Sequence, residues 1–339
     1  MLKRRGELRL LACEAGRPFA EKILQKLLEK GEYKEARIID SKEIQFANSE
    51  IKTKIGESIR DADVYIIQDV ENSVHGKSID ENLRALKTAI DAAWRSDARY
   101  VTAVLPAFPY ARQDKQDGRE GITASLIARE IEAAGADHVI TLDIHNTAIA
   151  GFFRKAKFDN LNASKNIMSH ILKNPELFNL KNMVIMPPDL GGAKRAERYA
   201  RKLGTDLVFV HKKRSYTHAN VVEDAVIIGD ISGKDVLIVD DMICTGGTLI
   251  KVIKLVKQKG ANKVYAACSL PLFNGNAIQN LTEAYEADYL SGVIGTDAVH
   301  HGKDFAAKCP WFREVDIASY FAKVIRKLNH RESLSELLQ

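Results

Sequence analysis

Short, continuous apolar runs alternate with segments in which apolar residues recur every three or four positions through most of the chain. DVYIIQD (Asp63 to Asp69), RYVTAVLP (Arg99 to Pro106) and HVITLDIHN (His138 to Asn146) read as strands, and ITASLIAREIEAAGA (Ile122 to Ala136) reads as a helix with Gly135 near its end. The second half repeats the habit: KNMVIMPPD, a helix from about Gly192 to Leu203, the strand DLVFV, then VLIVDD and the helix TLIKVIKLVKQKG. Strands that are apolar throughout are covered on both faces, which predicts an α/β fold with mainly parallel sheets flanked by helices. With no Pro/Gly/Ser linker, the pattern divides into two similar domains, 1–162 and 163–339. Parallel sheets bind ligands at the carboxyl ends of their strands. Polar clusters fall there: FPYARQDK, DIHN, PPDLGGAKR, HKKR and DDMICTGGT.

Composition narrows the function classes. No apolar run approaches the roughly 18 residues of a membrane span. The basic start MLKRRGELRLL has too short an apolar stretch for a secretory signal, so a cytoplasmic protein without membrane contact is expected. Four cysteines with no C-x-x-C pair argue against a zinc site or a disulfide framework. Fifty Lys and Arg against 45 Asp and Glu give a net charge of +5 without a basic tail. That balance suits small anionic ligands and gives no reason to expect nucleic acid.

The stretch VLIVDDMICTGGTLI, Val236 to Ile250, carries the sharpest chemistry. Glycines let backbone N–H groups approach an anion, and a helix N-terminus adds partial positive charge, so Thr245-Gly246-Gly247-Thr248 is suited to hold a phosphate. Asp240 and Asp241 accept hydrogen bonds only, so they suit neighbouring hydroxyls of a sugar or a hydrated Mg²⁺. A sugar phosphate satisfies both parts. The order strand, acid pair, Thr-Gly-Gly-Thr, helix resembles the phosphoribosyl pyrophosphate loop of type I phosphoribosyltransferases and of ribose-phosphate pyrophosphokinases.

FANSE (Phe46 to Glu50), FPYARQDKQD, GADHVITLDIH, PPDLGGAKR and VHKKR follow in the order seen in the ribose-phosphate pyrophosphokinase family. That resemblance covers residue 8 to the C-terminus and implies two tandem type I phosphoribosyltransferase-like domains. The implied reaction is ribose 5-phosphate plus ATP giving phosphoribosyl pyrophosphate and AMP. By the same resemblance Asp240, Asp241, Cys244, Thr245, Gly246, Gly247 and Thr248 hold ribose 5-phosphate. Phe46, Asn48 and Glu50, with Arg112, Gln113 and Asp117, hold ATP, the first three reaching the nucleotide from a neighbouring subunit. His145 and Asp189 bind Mg²⁺, and Lys212 and Arg214, alternating along an extended segment, stabilise the transferring diphosphate. The resemblance also implies a homo-oligomer, a hexamer. The alternative kept beside it is a non-catalytic relative that binds nucleotide and regulates an active synthase.

The chain departs from the family in places. Cys244 stands where many members carry Asp, and QDGREGITAS replaces a more basic segment. VENSVHGKSIDENL is longer than expected. Ser58 and Arg60, with Ser333 and Ser335, match positions that bind regulatory phosphate in relatives, so an allosteric phosphate site is expected there.

Overall fold

The computed structural model of the chain describes residues 4–29, 31, 33–214 and 222–338; the side chains of 73, 211–214, 222–225 and 338 lie outside that description. It divides into two compact units, Met1–Asn162 with Asp297–Gly302 and Asp316–Gln339, and Ala163–Thr296 with Lys303–Val315.

The first unit runs β1 (Leu8–Ala12), α1 (Arg17–Leu28), the hairpin β2 (Ser41–Gln45) and β3 (Ile51–Ile55), then β4 (Asp63–Ile67) and α2 (Ile79–Arg95). It continues with β5 (Tyr100–Leu105), α3 (Thr123–Ala133), β6 (His138–Leu142) and β7 (Lys157–Leu161). Its sheet has the order β1-β4-β5-β6-β7, every pair parallel. All five residues of β4 are buried, as a strand covered on both faces requires. Helix α2 starts sharply because Ser78 and Glu81 form a reciprocal capping box.

The second unit runs α4 (Ser164–Lys173), β8 (Met183–Met186), α5 (Ala193–Leu203), β9 (Asp206–Leu207), the hairpin β10 (Phe209–Arg214) and β11 (Val222–Ile228), β12 (Asp235–Ile243) and α6 (Gly247–Gln258). It ends with β13 (Val264–Pro271), α7 (Ala277–Glu286), β14 (Gly292–Thr296), α8 (Phe305–Lys308) and β15 (Phe312–Val315). The parallel sheet has the order β15-β14-β13-β12-β8-β9. The chain then returns to the first unit with α9 (Ala318–Asn329) and α10 (Ser335–Leu338). Apolar and polar anchors hold α9 there. Phe321 meets Phe19 edge-on at 5.2 Å, and the Asn329 amide donates to the buried Asp63 carboxylate at 3.0 Å. The chain passes between the units at 162/163, 296/297, 302/303 and 315/316, so 297–302 and the C-terminal helices join the first unit.

Both units follow one course: strand, helix, an edge pairing, an antiparallel hairpin, then a strand beside the first. The edge pairing is the bridge Leu10 to Ile38 in the first unit and β9 in the second. In each, the chain leaves one central strand in one direction and its neighbour in the other. Such a reversal opens a crevice at the carboxyl ends of the two strands. The crevices lie at β1/β4 and at β8/β12.

Two expectations are corrected. DLVFV is not one strand: the Val208 N–H bonds to Ile185 O at 2.9 Å, after which the chain leaves the sheet to pair β10 with β11. The buried strand does not stop before the acids either, since β12 runs through Asp240 and Asp241 to Ile243.

Candidate active site

In the second unit the crevice is built from the loops after β8 and β12. Parallel pairing of β12 with β13 keeps one register through the acids, with Asp240 opposite Cys268 and Met242 opposite Leu270. Each acid also accepts the amide of the residue after it: the Asp241 N–H donates to Asp240 Oδ1 and the Met242 N–H to Asp241 Oδ1, each at 2.9 Å. Asp241 is buried and Asp240 partly exposed. Burial, followed by the neighbouring Asp241 charge, pushes the Asp240 carboxyl up to about 7. Arg195 opposes that rise. Its guanidinium lies 3.2 Å from Asp240 Oδ1 and 3.5 Å from Asp241 Oδ2.

Three residues on, the chain turns through Cys244 and Thr245 into α6. Gly246 takes φ +72°, a left-handed conformation that costs an L-residue with a side chain. No side chain caps the helix, and Thr245, Gly247 and Thr248 are exposed, so the first amides of a 12-residue helix stand uncapped. That end is a ready seat for an anion. The Cys244 thiol donates to Asn274 Oδ1 at 3.0 Å and so ties the loop to the segment after β13. Across the crevice's other strand, Asp189 Oδ1 accepts the Gly191 N–H at 2.9 Å and starts the turn Leu190–Gly192 that leads into α5.

In the first unit the two segments that carry the ATP candidates are both anchored to one helical turn. Asp80 and Glu81 open α2; Tyr110 donates to Asp80 at 2.6 Å, and Gln45 donates to Glu81 at 3.1 Å. Tyr110 belongs to the FPYARQDK loop and Gln45 to the FANSE hairpin, so both motifs are rooted on this turn. Phe46 sits at the hairpin tip, 44% exposed, with the Lys52 ammonium 5.1 Å from its ring centre. Asn48 Oδ1 accepts the Glu50 N–H at 3.2 Å, shaping the tip. Arg112 and Asp117 are exposed, while Gln113 accepts a 2.6 Å bond from Thr123 at the start of α3. The loop after β6 joins this group through the bond from Asn146 to Asp114. His145, next to Asn146, is exposed. Asp143 holds φ +39°, backbone strain of a kind that concentrates at functional sites.

Other candidates are placed less tightly. Lys212 and Arg214 lie on β10, where pairing with β11 shifts register between Lys213 and Arg214. Their side chains fall outside the described residues, so their expected common direction does too. HKKR thus lies within a hairpin strand and not past a strand end. Arg60 is exposed and paired with Asp97, and the Ser333 and Ser335 hydroxyls lie 2.9 Å apart. Among the described residues no hydrogen bond or ion pair joins Arg60 or Ser58 to the Ser333–Ser335 pair. Arg195 is the site residue that sequence reasoning left out. Its signal was available: two adjacent carboxylates at the end of an apolar strand call for a cation, and Arg195 closes the PPDLGGAKR motif.

Comparisons with known proteins cover both units. Residues 8–135 match the family model described as the N-terminal domain of ribose phosphate pyrophosphokinase, and residues 158–301 match the phosphoribosyl transferase domain. Ribose-phosphate pyrophosphokinase A of Dictyostelium discoideum is 42% identical over 294 residues, 86% of this chain and 88% of that protein. Ribose-phosphate pyrophosphokinase 3 of Saccharomyces cerevisiae is 35% identical over 98% of both chains. The crystal structure of phosphoribosylpyrophosphate synthetase from Mycobacterium smegmatis superposes with a TM-score of 0.83 at 31% identity, covering 96% of this chain and 99% of that one.

Proposed function

The chain belongs to the ribose-phosphate pyrophosphokinase family, and on that premise we propose that it transfers the diphosphate of ATP to ribose 5-phosphate. The products are 5-phosphoribosyl 1-diphosphate and AMP. The anomeric oxygen of the sugar forms a bond to the β-phosphorus of ATP, the bond from that phosphorus to the α,β-bridging oxygen breaks, and the hydroxyl proton leaves to solvent. The observation that carries this reading is the uncapped start of α6 beside the acid pair, which supplies a phosphate seat and hydroxyl acceptors in one loop.

In this reading Thr245, Gly246, Gly247 and Thr248 hold the 5-phosphate, with Cys244 fixing the loop. Asp240 and Asp241 hold the ribose hydroxyls. Phe46 stacks on adenine with Asn48 and Glu50 beside it, all three reaching the nucleotide from a neighbouring subunit of a homohexamer, and Arg112, Gln113 and Asp117 hold the rest of ATP. Phosphoryl-group transfer needs positioning and charge neutralisation more than covalent chemistry. Lys212 and Arg214 meet that need. His145 of the first unit and Asp189 of the second, one of whose carboxylate oxygens accepts the Gly191 N–H, are each assigned a contact to hydrated Mg²⁺, which would neutralise phosphate charge. Ser58, Arg60, Ser333 and Ser335 are assigned to a regulatory phosphate. The setting is the cytoplasm; among the described residues no helix is long and apolar enough to cross a membrane.

The test is AMP release from ATP and Mg²⁺ with and without ribose 5-phosphate, the sugar product being identified by mass. Sugar-dependent AMP with a ribose carrying a new diphosphate is expected. A folded protein that binds both substrates and releases no AMP would overturn the reading in favour of a binding, regulatory role.

A further inference from the structure

We propose that Arg195 is a positioning residue of the sugar site: its guanidinium spans Asp240 and Asp241 and keeps both carboxylates as acceptors for the vicinal hydroxyls of ribose 5-phosphate. The inference rests on the reading of the crevice given above and deepens it.

Adjacent residues of a regular strand present their side chains to opposite faces. Asp240, partly exposed, and Asp241, buried, keep to that alternation, and each carboxylate accepts the N–H of the next residue. Both nonetheless lie within reach of one side chain, with Arg195 Nη1 at 3.2 Å from Asp240 and Nη2 at 3.5 Å from Asp241.

Two like charges this close, partly withdrawn from water, favour taking up a proton. A protonated carboxyl presents a donor where the sugar hydroxyl needs an acceptor. From β13 the Cys268 thiol faces Asp240, and burial and the Asp240 charge push it up, so it stays neutral and offers no compensation. Compensation comes from Arg195, on the first turn of α5 and therefore at the end of the strand next to β12. Two-pronged geometry matters as well as charge. A planar guanidinium places two N–H groups on two acceptors, whereas an ammonium is a single point charge.

Arg195 touches the acids, so its role is read through them. In the full-length chain, Arg195→Gln should raise the KM for ribose 5-phosphate about 30-fold, the size expected for losing charge-assisted bonds. The KM for ATP and kcat should stay within about threefold of wild type. Arg195→Lys, which returns the charge without the fork, should recover the sugar KM only in part, to about three- to fivefold above wild type. An unchanged sugar KM, a rise confined to the ATP KM, or equal losses in kcat for Gln and Lys would each overturn the proposal. Should the Gln variant not fold, the Lys variant decides, since a sugar KM identical to wild type contradicts a two-pronged role. Calorimetric titration with ribose 5-phosphate separates this inference from its premise. Equal affinity in wild type and variant sinks only the role of Arg195, while no binding by wild type sinks the sugar site and the inference together.

Discussion

Asp69 and Asp240 occupy corresponding places in the two units. Each stands two residues past the strand residue paired across the crevice, Ile67 opposite Ala12 and Ile238 opposite Met186. Both carboxyls are pushed up to about 7, chiefly by burial. Their surroundings differ. Asp69 is enclosed by its own unit, accepting the His300 N–H at 2.9 Å and the Glu71 N–H at 3.2 Å. Beside it the Asn72 amide donates to Ala15 O at 2.7 Å, joining the β4 loop to the β1 loop, and the Lys77 ammonium bridges Glu14 and Glu43. Gly16 runs so close to β4 that a Cβ there would stand 2.3 Å from the Ile67 carbonyl oxygen. In the second unit the matching space carries Asp240, Arg195 and an uncapped helix end. The same strand course makes a crevice in both; the loops decide whether the protein fills it or leaves it for a ligand.

The largest expected effect tests how full the first crevice is. Gly16→Ala forces a methyl carbon against backbone, which cannot yield as a flexible side chain can, so a loss of at least about 3 kcal/mol is expected. A urea midpoint equal to wild type would show that the crevice has slack and blur the contrast.

Next comes the pH dependence of stability through Asp69. An unfolded Asp titrates near 3.9, so the native state holds this proton more tightly between about 4 and 7. The resulting stabilisation is fully present below about 4 and is lost as pH rises through 7, a change on the order of a few kcal/mol. Asp69→Asn removes the titrating group. Urea melts of both proteins at pH 5 and pH 8 should show a smaller fall for the variant, and parallel falls would mean that Asp69 is not the group responsible.

The smallest effect sits in the open crevice, where the same shift is felt by substrate instead of by fold. As pH drops below about 7, Asp240 gains a proton, an acceptor becomes a donor, and the KM for ribose 5-phosphate should rise up to about tenfold per unit. A variant with Asp240→Asn should start from a higher KM and lose the part of that rise due to the carboxyl. This separates the residue from the substrate's own phosphate, which titrates near pH 6. A wild-type KM flat from pH 8 to 6 would assign the sugar hydroxyls to another group.

Local pattern made much of this readable. Uninterrupted apolar runs announced parallel strands because burial on both faces leaves no polar alternation. Thr245-Gly246-Gly247-Thr248 announced an anion seat because glycine conformations and a helix start are local properties. The acid pair stood out for the same reason, whereas its setting inside β12 did not. A strand that continues through two carboxylates depends on Arg195, 45 residues away. In the sequence Asp69 reads only as a strand end, since the His300 amide that encloses it lies 231 residues away. By its place in the chain α9 reads as part of the second domain, although Phe19 and Asp63 hold it to the first unit. The sequence alone specified the layers, the strand ends where polar residues collect and the glycine turn into α6, all written within a few neighbouring residues. Only the tertiary structure decided which acid is enclosed, which faces a cation, and where the last helices dock, because those depend on pairings between residues far apart that periodicity does not record.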